Sequence, residues 1–132
     1  MANNNSLIII PTFNEKENVD KMIDAVLELD HSFHVLFVDD NSPDGTAEII
    51  SKRIAGSVGR VHLEKRKGKQ GLGTAYIHGF KWAIKNQYEF VFEMDCDFSH
   101  NPKDLNRLQQ ELKNGADLVI GSRYCSGGKV KN

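Results

Sequence analysis

Five short apolar runs alternate with four segments of helical periodicity, and this alternation predicts a three-layer α/β/α domain with a largely parallel sheet. The runs are continuous rather than alternating, as expected of buried strands. Four of the loops that follow them are rich in carboxylate, amide or guanidinium groups, which such a sheet gathers beyond the carboxyl ends of its strands.

The first run, residues 7–10, is stopped by Pro11 and reads as a strand entering a loop. Val19, Met22, Ile23, Val26 and Leu27 then form one helical stripe. Asn14 with Glu17 matches an N-cap and its capping-box partner for that helix. Residues 35–38 form a second strand, followed by turn formers over 39–45, and a second helix is expected to present Ala47, Ile50 and Ile54. Residues 61–63 are a brief third strand before a Lys- and Gly-rich loop over 64–73. The helix after it carries Tyr76, Ile77, Phe80, Ala83 and Ile84 toward a core. Residues 90–92 form a fourth strand; Asn101 caps a helix opened by Pro102, with Leu105, Leu108 and Leu112 at helical spacing. Residues 116–120 complete the set as a fifth strand before Gly121, Ser122, Arg123 and Tyr124.

At 132 residues with 39% hydrophobic side chains, the chain suits one domain with a sizeable core. A formal charge of -1, from 17 basic and 18 acidic residues, supplies no broad cationic field for nucleic acid or anionic lipid. Recognition must come from local constellations. Cys96 and Cys125 fit no metal or redox spacing, and with no leader or membrane-length apolar run in the chain, a cytoplasmic location is expected. Cys96 should point away from its two acidic neighbours and pack in the core.

Asp95 and Asp97 are the most informative pair. In extended backbone, residues i and i+2 share a face, so both carboxylates can converge on one Mg2+ or Mn2+ at a strand's carboxyl end. Asp97 is the first choice for direct coordination; Asp95 shares the metal or orders its water shell and a ribose. A nucleoside diphosphate bound with such a cation also needs hydrogen bonds for base and ribose. Pro11, Thr12, Asn14, Glu15, Asp40, Gly71 and Asp95 are the candidates on that side. Asp40 can accept from a nucleobase N–H, while Asp39 either orients a basic group or caps its turn. For Asn14, helix capping is an equal alternative to base or ribose contact. Arg123 has the fork of donors that pairs with a diphosphate. Lys65, Arg66, Lys67 and Lys69 form a basic loop beside Gly68, Gly71 and Gly73, either solvated or folded onto phosphate; its glycines do not spell a P-loop. His34, His62 and His78 share no zinc-site spacing, and His100 is a polar neighbour of the aspartates.

Taken together, residues 9–15 (IIPTFNE), 38–46 (VDDNSPDGT), 71–75 (GLGTA), 94–102 (MDCDFSHNP) and 121–124 (GSRY) resemble the family 2 glycosyltransferases of GT-A fold, above all the polyprenol-phosphate and dolichyl-phosphate mannose synthases. The resemblance spans essentially the whole chain. It implies that Asp40 reads the base, that Asp95 and Asp97 form the DXD-type metal-diphosphate motif, and that Arg123 assists the phosphates. It also implies GDP-mannose as donor, an isoprenoid monophosphate as acceptor, and inverting transfer. Residues 1–132 are then expected to be the nucleotide-sugar-binding domain, the N-terminal part of a longer enzyme associated with the cytoplasmic face of a membrane. A UDP-sugar donor, a nucleotidyltransferase, a receiver domain and a non-catalytic binding module are the competing expectations. A receiver domain would place its acidic pair after the first strand, whereas here Asp39 and Asp40 follow the second.

Overall fold

The apolar runs form the sheet that their continuity predicts. The structure, a computed structural model, describes residues 6–68, 71–99 and 101–113. In chain order the elements are β1 (Ser6–Thr12), α1 (Val19–Leu27), β2 (Phe33–Asp39), α2 (Thr46–Ile54), β3 (Val61–Lys65), α3 (Leu72–Lys85), β4 (Phe90–Glu93) and α4 (Asp104–Lys113). The strands lie in the order β3-β2-β1-β4, every pair parallel. Chain order reverses between β1 and β4, so the crevice expected of such sheets opens beyond the carboxyl ends of those two strands.

Strand alternation divides β1 between two cores. Ile8 and Ile10 face Val19, Met22, Ile23, Ile50, Leu105 and Leu108 from α1, α2 and α4. Leu7 and Ile9 face Ala75 and Ala83 of α3 on the other side. All four β1 residues are fully buried, a contribution of about 1.5 to 3 kcal/mol for each such side chain. The result is the expected three-layer arrangement. The fifth strand expected over 116–120, and Arg123 with it, lie outside the described residues.

Three expectations about the helices need correction. Asn14 does not cap α1: the helix starts at Val19 with Asn18 before it, and Asn14 has a left-handed backbone with φ 56°. The Glu15 carbonyl instead accepts from the N–H groups of Asn18 and Val19, closing a turn ahead of the helix. In α3, Ala75, Gly79 and Ala83 form the face toward the sheet, while Ile77, Phe80 and Ile84 are exposed. The helix lies so close to β1 that only small residues fit the contact. Ile54 of α2 is likewise at the surface rather than inward.

Buried polar groups stitch the elements at the far end of the sheet. The Arg60 guanidinium, almost fully buried, donates to the carbonyls of Val26, Leu27, Leu29, Asp30 and Phe33. Two of these carbonyls, Val26 and Leu27, belong to the last turn of α1, and the other three follow the helix. Gln109 of α4 donates to the hydroxyls of Ser6 and Ser32, holding α4 under the start of β1. Among the described residues, no helix is long and apolar enough to cross a membrane.

Candidate active site

Beyond β1 and β4 the chain encloses an open cavity of about 310 Å³ lined by Pro11, Thr12, Phe13, Glu15, Asp40, Gly71, Ala75, Asp95, Cys96 and Asp97. Of the residues singled out in the sequence, Pro11, Thr12, Glu15, Asp40, Gly71, Asp95 and Asp97 therefore meet in one place. Asn14 does not line it. Arg123 lies outside the described residues.

The pairing of β1 with β2 explains how the first wall is built. Thr12 is in register with Asp39, so the ends of the two strands lie side by side. Asp39 is fully buried; its carboxylate accepts from the Thr12 hydroxyl at 2.7 Å, the Ser42 hydroxyl at 2.7 Å and the Ser42 N–H at 2.9 Å. It is the turn cap of the two roles considered for it. Thr12, expected to reach ribose or base, donates a hydrogen bond from its hydroxyl to Asp39 and lines the cavity. The loop after β1 is then fastened to the loop after β2 by three backbone donors: Asn14 N–H to Ser42 Oγ (2.9 Å), Glu15 N–H to Thr46 Oγ1 (2.9 Å) and Lys16 N–H to Asp44 Oδ2 (3.2 Å). These bonds hold Asn14 in its left-handed conformation and turn Glu15 into the cavity wall. Ser42 and Asp44, which the sequence signalled only as turn formers, are thus structural residues, as is Thr46 at the start of α2.

Alternation sends the next carboxylate the other way. Asp40 lines the cavity and is held by Arg66, whose Nε donates to Oδ1 at 2.6 Å and Nη2 to Oδ2 at 2.9 Å. The sequence placed Arg66 in a solvated or phosphate-contacting loop. Its side chain is nearly buried instead, and it also donates to Thr74 Oγ1 and the Gly71 carbonyl at the start of α3.

The acidic pair comes from the segment after β4. The strand ends at Glu93, so Asp95 and Asp97 lie past regular pairing, with Asp97 in a turn rather than on an extended strand. Both still line the same cavity. The Tyr76 hydroxyl donates to Asp95 Oδ1 at a long 3.4 Å, and Asp97 Oδ1 accepts from the Ser99 N–H at 3.0 Å. Phe98 between them has φ 61°, a strained value for a side chain of that size. Cys96 is buried among Met94, Leu105 and Leu108 as expected, and burial pushes its thiol up to about 12, which makes it a poor nucleophile.

The electrostatics of the cavity favour a cation. Burial raises the Glu15 carboxyl above its ordinary value; the Asn18 amide opposes that rise, and the charges of Asp97, Asp44 and Asp95 add to it. Among the described residues, no group of three or more His, Cys, Asp or Glu side chains forms a self-sufficient metal centre. Asp95 and Asp97 fit a cation such as Mg2+, which characteristically takes one or two carboxylates and completes its shell with water and substrate phosphates.

Comparison with known proteins places this geometry. Residues 7–132 match the model of glycosyl transferase family 2. The chain belongs to that family. It is 45% identical over 127 residues to the polyprenol monophosphomannose synthase of Mycolicibacterium smegmatis, covering 96% of this chain and 48% of that protein. It is 47% identical over 130 residues to the undecaprenyl-phosphate mannosyltransferase of Micrococcus luteus, covering 96% and 51%. The chain thus spans about half the length of these curated relatives. Among solved structures, the mannosyltransferase PcManGT of Pyrobaculum calidifontis, in complex with GDP-Man and Mn2+, superposes with a TM-score of 0.69 at 21% identity over 86% of this chain and 34% of that one. The family 2 fold is therefore GT-A-like, as the sequence motifs implied.

Proposed function

We propose that this chain is the donor-binding portion of a glycosyltransferase that moves mannose from GDP-mannose to a polyprenyl or dolichyl monophosphate. The observation that carries the reading is the identity of 45% and 47%, over 96% of the chain, to relatives named as polyprenol-phosphate and undecaprenyl-phosphate mannosyltransferases. The gathering of Asp40, Asp95, Asp97 and Glu15 around one cavity supports it.

In this mechanism Asp40 accepts an N–H of the base. A fork from arginine occupies two of the roughly four lone-pair sites of a carboxylate, so its pair with Arg66 is compatible with that contact. Glu15 borders the ribose side, and Pro11 and Gly71 shape the walls. Asp95 and Asp97 would hold Mg2+ or Mn2+, which when bound supplies positive charge against the departing diphosphate. Arg123 is assigned to the same phosphates. An acceptor phosphate oxygen attacks the anomeric carbon from the face opposite the diphosphate; the new C–O bond forms as the bond to the diphosphate oxygen breaks, and GDP leaves with its electron pair. A phosphate monoester has a second pKa of about 6, so the attacking oxygen is already anionic near neutrality and no protein base is required.

The decisive experiment is calorimetric titration of the chain with GDP, UDP and ADP, with and without Mn2+, followed by a transfer assay with polyprenyl phosphate. This chain is expected to bind GDP, more tightly with Mn2+, and, spanning about half the length of those relatives, to show little or no transfer by itself; mannosyl phosphoryl polyprenol is the product expected of the enzyme whose donor side it supplies. UDP binding with no GDP binding transfers the reading to a UDP-sugar donor; pyrophosphate as product makes the protein a nucleotidyltransferase. No nucleotide bound at millimolar concentration overturns donor binding altogether.

A further inference from the structure

We infer that Arg66 is a positioning residue for base selection: it fixes the plane of Asp40 and sets the distance between that carboxylate and the α3 side of the cavity. The inference rests on the donor site proposed above and adds to it a residue that does not touch the nucleotide.

Arg66 joins three separate parts of the chain. Its backbone N–H donates to the Asp39 carbonyl at 2.8 Å, anchoring the residue just past β3 to the end of β2. Its Nε and Nη2 grip both oxygens of Asp40, with the two side chains 7% and 9% exposed. Nη1 and Nη2 reach Thr74 Oγ1 at 2.9 Å and the Gly71 carbonyl at 3.3 Å, and Thr74 Oγ1 also donates to that carbonyl at 2.8 Å. Gly71 lines the same cavity as Asp40, in a backbone conformation with φ 100° that favours glycine. One planar guanidinium thus spans the cavity wall from β2 to α3.

This geometry has a consequence for recognition. A two-point fork lets a carboxylate neither rotate nor swing toward a metal, so Asp40 is left as a fixed hydrogen-bond acceptor. A fixed acceptor favours bases with an imide-type ring N–H, guanine and uracil. It disfavours adenine and cytosine, which present a ring-nitrogen lone pair beside their amino group. Lysine carries the same charge as a single point and cannot hold both oxygens in one plane.

The test compares GDP and ADP binding, with and without Mn2+, for the wild-type chain, Arg66→Lys, Arg66→Gln and Thr74→Val, with thermal melts to confirm folding. Arg66→Lys is expected to weaken GDP about tenfold and to lower the GDP-to-ADP preference by a similar factor, while the gain in affinity on adding Mn2+ stays at its wild-type ratio. Thr74→Val, which removes the outer contact to Arg66 together with the bond to the Gly71 carbonyl and leaves the fork on Asp40 in place, is expected to show a smaller loss of the same kind. Folded Arg66→Lys and Thr74→Val proteins that keep wild-type GDP affinity and base preference would overturn the inference while leaving the donor site standing. A wild-type chain that binds no nucleotide overturns both.

Discussion

Gly79 of α3 lies directly against Ile9 of β1: a Cβ built at position 79 would meet Ile9 Cγ2 at 2.6 Å and Cδ1 at 2.8 Å. Ile9 is fully buried and β-branched, so it has little freedom to give way. Alanine normally favours a helix over glycine by about 1 kcal/mol. Here overpacking, at about 1 to 3 kcal/mol, opposes and exceeds that gain. Gly79→Ala is therefore expected to destabilise the chain by about 1 kcal/mol in urea unfolding. A stabilised variant would show that α3 can move away from the sheet at little cost.

Asp39 is expected to be as sensitive as any residue near the site, although it does not line the cavity. Its three donors, from Thr12 and Ser42, all point at a carboxylate with no solvent exposure. An amide would turn one of those acceptors into a donor facing donors. Asp39→Asn is expected to cost on the order of 2 to 3 kcal/mol, since bonds to a charged group are worth more than neutral ones and the orphaned donors stay buried. Chemical denaturation of both proteins measures it.

Asp97→Asn addresses the cation instead. The substitution keeps an oxygen in place and removes a charge from an exposed position, so stability should change by less than about 0.5 kcal/mol. On the proposed function, GDP affinity measured without metal stays near the wild-type value, whereas the enhancement by Mn2+ falls about tenfold or more. An undiminished Mn2+ effect in both Asp97→Asn and Asp95→Asn would remove the acidic pair from the metal site.

These sites differ in how far the sequence discloses them. Apolar runs located all four described strands, because burial on both faces leaves a continuous local signal. The carboxylates at the strand ends were legible for the same reason, since a strand's end in a parallel sheet predicts a position on the rim. Asp39 and Asp40 were told apart, but the sequence left open whether Asp39 orients a basic group or caps its turn. Only the register that sets Thr12 beside Asp39 decides it. Arg66 was harder still, because its partner is 26 residues away and reached through parallel pairing of β2 with β3, which leaves no local period. Asn14 misled for a related reason: a residue type that caps helices was consumed by the loop that fastens β1 to β2. For α3, large apolar residues at helical spacing suggested an inward face, but proximity to β1 admits only Ala75, Gly79 and Ala83 there.

The ring cluster at the opposite end of α3 predicts how stability depends on pH. His34 stands 5.5 Å from Tyr88 and 6.0 Å from His62 between ring centroids, and His62 stands 4.9 Å from Trp82. Burial pushes the Tyr88 phenol up to about 12, and its hydroxyl is hydrogen-bonded to His34 Nδ1 at 2.8 Å. Burial, with help from His62 and Arg60, lowers His34 from 6.5 to about 4. The unfolded chain therefore takes up a proton at His34 before the folded one does. This stabilising contribution is complete above pH 6.5 and is lost as pH falls toward 4. At about 1.36 kcal/mol per unit, reduced because the ring is only half-buried, the loss is on the order of 2 kcal/mol. His62 is also lowered by burial and adds to the same slope, while Glu15, raised by burial, works against it at the acid end. Urea midpoints measured from pH 7.5 to 4.5 should fall in the wild-type chain and fall less in His34→Gln. An equal slope in the two proteins would mean that His34 takes up its proton in the folded chain as readily as in the unfolded one.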